Sequence, residues 1–285
     1  MSTLRSILHR EPGQALGPIR RMIAPLTSGE RLKPFVFLDF FNAEVEPGFG
    51  FGWHPHSGIA TLTWQPDTEV DYEDTTGQKG VLAPGGLEWM NAGGGAWHRG
   101  HLLSRGHATG FQLWVAMPPG VEDGPAFGQY ILPADVPKLR IPGGELQILL
   151  GEVSSADARA TSPIESHQSM NYIVLTLERG ARWTFSPPAA HEIAWAMVFD
   201  GEALVQVQAA GHELLTLDTH GDIEIQASSP KARILIGTAA PHPYPLVTGH
   251  SSVHTRRASL LSAQARIRAT APWERIKQRD RSFTS

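Results

Sequence analysis

Short apolar segments separated by Gly and Pro recur along most of the chain. They are rich in Val, Ile, Leu and Trp, as in "IATLTW", "FQLWVAM", "LQILLGEV", "YIVLTLE", "EIAWAMVF", "EALVQVQ", "DIEIQA" and "ARILIGT". Several alternate apolar with polar residues, for example residues 204–208, and this is the period of a half-buried strand. Many short strands with turn residues between them are typical of β-sandwiches and barrels. The pattern therefore predicts an all-β protein.

The strand pattern occurs twice along the chain. The first set spans about residues 35–117 and the second about residues 146–237, and a segment rich in Pro and Gly connects them. This connection keeps apolar residues such as Phe127 and Tyr130, which is typical of an ordered segment rather than a disordered tether. We therefore predict two tandem barrels followed by a C-terminal segment. The predicted divisions are 1–130, 131–250 and 251–285.

The C-terminal segment departs from the strand pattern. Thr255 is a candidate N-cap for a helix over about Arg256 to Arg268, with Leu260, Leu261 and Ala265 on one side. We expect this helix to pack on the barrels, with a tail after it. The tail sequence "WERIKQRDR" has one Trp and mixed charge, so it gives little support for a nucleic-acid contact.

Composition and charge exclude several classes of protein. The chain is 41% hydrophobic and 18% charged, as in ordinary globular proteins, and its formal charge of −4 argues against a nucleic-acid surface. No apolar run approaches the roughly 20 residues that span a bilayer, and the N-terminus lacks the apolar core of a secretion signal. We therefore expect a cytoplasmic protein without a membrane partner. Since the chain has no cysteine, any metal must be held by nitrogen and oxygen ligands.

Two of the thirteen histidines lie one residue apart in "FGWHPHSGIA", residues 51–60. Residues i and i+2 of a strand point to the same face, so His54 and His56 project side by side. Pro55 cannot donate to a ladder, which places this stretch at an edge or at the start of a strand. Two imidazoles on one face can chelate one metal ion. An exposed or hydrogen-bonded turn is the alternative for the pair taken alone.

A second histidine segment ends about forty residues later. The segment "GVLAPGGLEWMNAGGGAWHRGH", residues 80–101, contains a tight turn and a run of glycines, and it ends with His98 and His101. Glycines allow a close backbone approach that side chains would block. Structural glycines explain the turn, but they do not explain why histidines lie at the end of it.

Together these segments resemble the pirin family of cupins. The resemblance rests on "KPFVFLDFFN" (33–42), "HPHSGIATLTW" (54–64), "YEDTTGQKG" (72–80), "LEWMNAGGGAWH" (87–98) and "GFQLWVAMP" (110–118). It is dense over the first half of the chain and looser over the second. It implies two cupin (jelly-roll) barrels in tandem, a bicupin, of which only the first binds metal. The second half has no HxH, and its His191, His212 and His220 are isolated, in agreement with this implication.

The resemblance also implies three histidine ligands and one glutamate ligand. The histidines carry over to His54, His56 and His98, but Gly100 stands where the family has the glutamate. Three arrangements stay open: three histidines hold a metal with open positions, His101 completes a four-histidine site, or the site is empty. On a continuing strand His101 would point to the opposite face, although a bulge could bring it round.

The identity of the metal follows from the resemblance rather than from the ligands. The family usually binds iron, so a divalent transition metal is expected, with iron favoured. Neutral imidazoles also accept Zn, Ni and Cu, and Mn stays open as well. Loss of a carboxylate ligand would weaken the binding of a divalent ion.

Two functions from different classes are compatible with these observations. Some pirins resemble quercetinases, which open a flavonol ring with dioxygen, so the first hypothesis is a metal-dependent dioxygenase for a small aromatic substrate. Because the ligand glutamate is the natural base in that reaction, Gly100 predicts weak activity. The alternative is a non-enzymatic metal- or redox-responsive protein that acts through a protein partner.

The remaining candidates in the matching region are a set of apolar residues and three carboxylates. A set of apolar residues is expected to line the barrel: Trp53, Leu62, Trp64, Trp89, Met90, Phe111 and Leu113. Three carboxylates, Glu73, Asp74 and Glu88, are interpreted as solvated loop residues.

Overall fold

The computed structural model describes residues 3–154 and 158–273 of the 285-residue chain. The predicted tail, residues 274–285, lies outside the described residues. In chain order the first strands are β1 (Ile7–Glu11), β2 (Gln14–Leu16), β3 (Ile19–Ile23), β4 (Phe35–Val45), β5 (Gly50–His56), β6 (Ile59–Trp64), β7 (Val70–Asp74), β8 (Lys79–Leu82), β9 (Leu87–Asn91), β10 (Ala96–Leu102), β11 (Gly106–Ala116) and β12 (Phe127–Ile131). The later strands are β13 (Lys138–Ile141), β14 (Gly144–Leu150), β15 (Glu152–Ser154), β16 (Arg159–Thr161), β17 (Met170–Glu178), β18 (Arg182–Phe185), β19 (Ile193–Asp200), β20 (Ala203–Val205), β21 (Gln208–Ala210), β22 (Leu214–Leu217), β23 (Ile223–Ala227), β24 (Lys231–Ala239), β25 (Val247–Gly249) and β26 (Ser252–His254). The helices are α1 (Ser28–Leu32), α2 (Arg257–Thr270) and a short 3-10 helix (Pro133–Asp135).

Each half of the chain builds a barrel from one seven-stranded and one four-stranded sheet. The first barrel has the strand orders β12-β9-β6-β11-β4-β3-β2 and β5-β10-β7-β8. The second has the orders β1-β22-β19-β24-β17-β14-β13 and β18-β23-β20-β21. Neighbouring strands within these sheets run antiparallel. The predicted all-β fold, two tandem barrels with a C-terminal helix, is confirmed.

The two barrels are joined by more than the connecting segment. Strand β1 pairs with β22, so the first strand of the chain lies in the second barrel's larger sheet. The larger sheets also share one apolar core, in which Phe35 meets Trp195 edge-on at 5.5 Å between ring centroids and Trp64 meets Phe199 at 6.1 Å. The predicted division of the chain at residues 130 and 250 stays a prediction.

Strand β6 shows how alternation separates the two sides of the first barrel's larger sheet. All six of its residues are buried. Ala60, Leu62 and Trp64 belong to the core that the two barrels share, whereas Thr63 lines a cavity inside the first barrel. Because successive side chains of a strand point to opposite faces, the apolar set of β6 faces the second barrel. The polar threonine side is the one that faces the cavity.

Helix α2 packs its apolar stripe on the first barrel, but it differs in detail from the prediction. Its buried residues are Ser259, Leu260, Ala263 and Ile267, whereas Leu261 is 52% exposed. The prediction that Leu261 and Ala265 lie on the packed side was therefore wrong. Thr255 does not cap the helix, because Arg256 occupies the N-cap position of helix α2. The hydroxyl of Thr255 instead donates to the carboxylate of Glu122, at 2.8 Å.

None of the helices in residues 3–154 and 158–273 has both the length and the apolar character needed to cross a bilayer.

The second barrel is filled by apolar side chains, and the buried His191 lies at the margin of its core. His191 is 2% exposed, and its ring nitrogens contact the hydroxyls of Ser169 and Thr238 at 3.0 and 2.9 Å. Burial, with a smaller contribution from the Arg5 guanidinium, lowers the pKa of His191 from 6.5 to about 4. The imidazole is therefore neutral in the folded protein at neutral pH.

Acidification is expected to destabilise the protein through His191. Between pH 6.5 and about 4 the unfolded chain binds a proton at this residue and the folded protein does not, so stability falls as the pH falls. The full shift corresponds to about 3 kcal/mol. Between about pH 7 and pH 4.5 we expect His191→Gln to lose less unfolding free energy than the unmodified protein, as measured by denaturant titration. The exposed His220, replaced by Gln, is the control; equal pH dependence in both variants would contradict the assignment.

Candidate metal site

Two paired strands of the smaller sheet bring three histidines together. His54 and His56 lie on β5, and His98 on β10 pairs directly with His54 in the antiparallel register. The ring centroids of His54 and His98 are 4.3 Å apart, and those of His56 and His98 are 5.0 Å apart. One nitrogen of each ring lies within 4.8 Å of the others. The structure thus brings together the three histidines that the sequence singles out, in an arrangement that could hold a metal ion.

Backbone carbonyls fix the rings of the β5 pair. The Nδ1 atom of His54 lies 2.8 Å from the carbonyl oxygen of Gly52, and that of His56 lies 3.0 Å from the carbonyl oxygen of Ser251. A carbonyl oxygen only accepts, so each Nδ1 carries the proton and donates it. Each Nε2 therefore keeps its lone pair, which is the form of imidazole that binds a metal ion.

A carboxylate fixes the third ring. The Nδ1 atom of His98 lies 3.0 Å from Oε1 of Glu88, and both side chains are almost fully buried. The Nε2 atom of His98 is buried and has no hydrogen-bond partner among the residues that the structure describes. A buried acceptor without a partner is costly, and a bound cation would satisfy it. The residues present therefore fit a divalent transition metal.

Burial keeps the β5 histidines neutral. Burial, and to a smaller extent the neighbouring His98, lowers the pKa of His54 from 6.5 to about 3. The pKa of His56 is also well below its ordinary value, first because of burial and then because of the two other histidines. At neutral pH the rings consequently offer lone pairs rather than positive charges to a metal ion.

The interpretation of Glu88 as a solvated loop residue is wrong. Glu88 lies in β9, which is an inner strand of the larger sheet between β6 and β12, and it is 5% exposed. Asp74 is also buried, and it accepts hydrogen bonds from the turn residue Thr76 and from the hydroxyl of Tyr130. The sequence did not reveal these positions because the burial of a carboxylate depends on strands that are distant along the chain.

The third carboxylate of the region is not part of the histidine cluster. Glu73 is partly buried and pairs with Arg99 at 3.1 Å. Arg99 also contacts Asp71, so this group forms a charged cluster on β7 and β10. Glu88, in contrast, contacts His98 of the cluster directly.

His101 is not brought to the cluster of three histidines. The pairing of β10 with β7 runs without interruption from His98 to Leu102, so the alternation of faces is kept. A register shift does occur between β10 and β5, but the additional residue lies in β5, between Phe51 and His54. His101 accordingly lies near Arg99, whose Nη1 atom is 3.5 Å from its Nδ1. Gly100 faces the cavity beside the cluster.

An aromatic cavity of about 570 Å³ adjoins the three histidines. Phe37 and Trp114 are stacked at 3.9 Å between ring centroids, and Trp114 meets His56 at 5.0 Å. The aromatic residues that line the cavity are Phe37, Phe41, Phe49, Phe51, Phe111 and Trp114. Of the seven residues that the sequence predicted to line the barrel, Phe111 alone lines this cavity. Leu62, Trp64, Trp89 and Leu113 belong to the core shared by the two barrels.

Polar groups lie on other parts of the cavity wall. Arg21 forms an ion pair with Asp39, and its guanidinium carbon lies 4.0 Å above the ring centroid of Phe37. Gln65 and Gln112 also line the cavity, and each carries one buried amide atom without a hydrogen-bond partner among the described residues: Oε1 of Gln65 and Nε2 of Gln112. The wall thus combines aromatic rings with amide groups.

Comparison with known proteins covers the part of the chain that carries the three histidines. The family model described as Pirin matches residues 18–115. The protein named "Putative quercetin 2,3-dioxygenase PA3240" of Pseudomonas aeruginosa is 31% identical over 229 residues, which cover 77% of this chain and 80% of that protein. The chain belongs to the pirin family. A pirin-like protein of Caulobacter vibrioides is 30% identical over 201 residues, covering 67% of this pirin and 66% of the relative.

Solved structures share the fold of this pirin. A quercetin 2,3-dioxygenase from Acinetobacter baumannii aligns with a TM-score of 0.84 at 23% identity, covering 92% of this chain and 96% of the other. The pirin YhhW from Escherichia coli in complex with nickel(II) aligns with a TM-score of 0.61 at 22% identity, covering 85% and 100%. At these identities the likeness establishes the cupin fold.

Removal of the charge of Glu88 is expected to weaken metal binding. In Glu88→Gln the amide oxygen can still accept from Nδ1 of His98, but the negative charge that makes the ring a stronger ligand is lost. Partners of this kind typically contribute about 10–100-fold to metal affinity. Titration with Ni²⁺ measures the change, and the exposed Glu44, replaced by Gln, is the control for the loss of one carboxylate. Equal affinities in the two variants would show that Glu88 does not support the site.

Proposed function

We propose that this pirin is a metal-dependent dioxygenase that acts on a small aromatic substrate of the flavonol type. One observation carries the proposal: three imidazoles, each with its Nδ1 atom held by a carbonyl or carboxylate oxygen, converge at the wall of an aromatic cavity. The pairing of a metal-binding group with an apolar cavity and a few polar groups is typical of a catalytic site.

His54, His56 and His98 are the proposed ligands. A divalent transition metal bound there supplies a Lewis acid that lowers the pKa of a hydroxyl group of the substrate. Three protein ligands leave positions open for the substrate, as in catalytic rather than structural metal sites. Iron is the metal that the resemblance to pirins favours. A set of neutral nitrogen ligands also accepts Ni, Zn, Cu or Mn.

The cavity wall is complementary to a flat, hydroxylated substrate. The stacked rings of Phe37 and Trp114 present an apolar surface beside His56, against which an aromatic ring can pack. Gln65 and Gln112 contribute amide groups to the cavity wall, which suits a substrate that carries hydroxyl groups. Relatives of this pirin named as quercetin 2,3-dioxygenases agree with that class.

The expected rate of the reaction depends on whether a carboxylate of the cavity can act as the base. At Gly100, where the resemblance to pirins implies a glutamate, no side chain can take the proton of the substrate. Glu88 contributes a carboxylate to the same cavity, but its Oε1 atom is engaged by His98. Glu88 therefore positions His98, and the proposed dioxygenase is a slow one.

Oxygen consumption tests the proposal. The purified protein is loaded in turn with Fe²⁺, Ni²⁺ and Mn²⁺ and mixed with quercetin, and the uptake of dioxygen is followed together with the loss of flavonol absorbance. We expect slow uptake that depends on the metal and on His98. Absence of uptake with every metal, in a protein that binds the metal tightly, would overturn the dioxygenase proposal and support the non-enzymatic alternative.

A further inference from the structure

A second cluster of metal-binding side chains lies outside the cavity. Glu122 and Asp123 are in the loop that follows β11, and His254 ends β26, just before helix α2. One ligand atom of each of the three residues lies within 4.8 Å of the others. The cluster thus connects the loop after the first barrel to the beginning of the C-terminal helix.

Glu122 is a fully buried carboxylate with incomplete charge compensation. It is 0% exposed, and it accepts hydrogen bonds from the backbone nitrogen and the hydroxyl of Thr255, both of which are neutral donors. The nearest guanidinium atom, Nε of Arg256, is 3.9 Å from its Oε1, beyond hydrogen-bond distance. Arg256 is largely exposed and instead donates to Oδ2 of Asp123. Buried charges are normally paired or bound to a metal ion, and that of Glu122 is only weakly paired.

His254 directs an unpartnered nitrogen at this carboxylate. The residue is 1% exposed, and its Nε2 atom lies 2.9 Å from the hydroxyl of Ser57. Because the Ser57 hydroxyl donates to Ser252, it accepts from Nε2 of His254, and this leaves Nδ1 with a lone pair. Nδ1 is buried, has no hydrogen-bond partner within residues 3–154 and 158–273, and lies 3.7 Å from Oε2 of Glu122. Two acceptors that face each other in a buried place are stabilised by a proton or a metal ion between them.

Asp123, the third residue of the cluster, favours a metal ion over a proton as the bridging cation. A proton on Nδ1 of His254 could bridge that nitrogen to Glu122, but it would leave the neighbouring carboxylate of Asp123 outside the interaction. Oδ1 of Asp123 is also buried and has no hydrogen-bond partner in the described part of the chain, whereas its Oδ2 accepts from Ser259 and Arg256. Two ligands held at about 2.1 Å from one ion can be up to about 4.2 Å apart, so the Nδ1–Oε2 separation suits a shared ion.

We propose that Glu122, Asp123 and His254 form a second metal site, for a divalent ion of the zinc class, independent of the three-histidine site. One imidazole and two carboxylates are a ligand set that Zn²⁺ accepts, with water in any remaining position. The ion has a structural role: it ties the start of helix α2 to the loop after β11.

The proposed ion would also support the first site. The hairpin β25–β26 supplies His254 to the second site, and its turn residue Ser251 accepts the hydrogen bond from Nδ1 of His56. Ser57, which contacts His254, directly follows His56 in the chain. An ion at the second site would therefore hold in place the hairpin that orients one ligand of the first.

Zinc binding by a variant without the first site tests the proposal. In His54→Ala/His98→Ala the three-histidine site is removed, and we expect the variant to retain about one Zn²⁺ per chain after desalting, measured by elemental analysis. Addition of Asp123→Asn or of His254→Gln to this background should abolish that retention. Zn²⁺ should also raise the melting temperature of the background variant but not of the variants with the additional changes.

The control is Asp135→Asn in the same background, because Asp135 is an exposed carboxylate in the short 3-10 helix. It should leave zinc binding unchanged. Asp123 is only partly buried, so Asp123→Asn decides the question if His254→Gln does not fold. Absence of zinc in the background variant, or equal zinc in Asp123→Asn, would overturn the second site. Neither result depends on dioxygenase activity.

Discussion

Replacement of His98 by alanine is expected to remove the metal ion from the three-histidine site. The change deletes one of three proposed ligands and leaves Glu88 buried without its imidazole partner. Removal of an outer partner alone costs about 10–100-fold in affinity, so loss of a ligand should cost more than about 100-fold. Titration of the purified variant with Ni²⁺ and analysis of its bound metal should show about one ion per chain fewer than in the unmodified protein.

His101→Ala is the matched control for this prediction. It removes the same side chain three residues further along the same strand, but from the face that carries Arg99. We expect the affinity at the three-histidine site to stay within a few-fold of the unmodified protein. A loss as large as that of His98→Ala would mean that the strand rearranges and that a four-histidine site forms.

Introduction of glutamate at Gly100 is expected to strengthen metal binding and to accelerate any flavonol cleavage. Gly100 lines the cavity, and a Cβ atom added there would meet only the Cγ1 atom of Val70, at 3.4 Å. The backbone at this position is not in the left-handed region, so a larger residue is tolerated there. A carboxylate supplies both a charge near the metal and a base near the substrate, and general bases typically contribute about 10²–10⁴-fold in rate.

The comparison with Gly100→Gln separates charge from bulk. Glutamine fills nearly the same volume and removes the same glycine, but it supplies no base. Metal affinity and the rate of oxygen uptake should rise in the glutamate variant and not in the glutamine variant. If the two variants behave alike, the carboxylate at this position is not what limits the reaction, and Glu88 becomes the leading candidate for the base.

The sequence by itself determined the elements that depend on local order. Alternation and turn residues indicate the strands, and the spacing of His54 and His56 places both rings on one face, because a strand repeats every two residues. The same rule predicts that His101 points away from His98 on a continuing strand. Residues 98–102 of β10 do continue without interruption along β7, and the register shift lies in the neighbouring β5. The absence of a carboxylate at Gly100 is likewise a property of the sequence alone.

Only the tertiary structure decided which apolar face lines the cavity. The alternation of β6 separates Leu62 and Trp64 from Thr63, but it does not reveal which side meets the second barrel. In a fold with two packed barrels both faces of a larger sheet are buried, so apolar character does not mark the interior. The sequence therefore predicted Trp64 as cavity lining, whereas the structure places Phe37 and Trp114 there.

The tertiary structure also decided which polar groups contact the candidate metal ligands. Glu88 meets His98 from another sheet, the carbonyl of Ser251 meets His56 across 195 positions of the chain, and Glu122 lies near His254. Local periodicity fixes the direction of a side chain relative to its own strand and carries no information about distant segments. Such contacts form only when the sheets close and the C-terminal segment packs, because burial and hydrogen bonding of a polar group depend on whatever surrounds it in space.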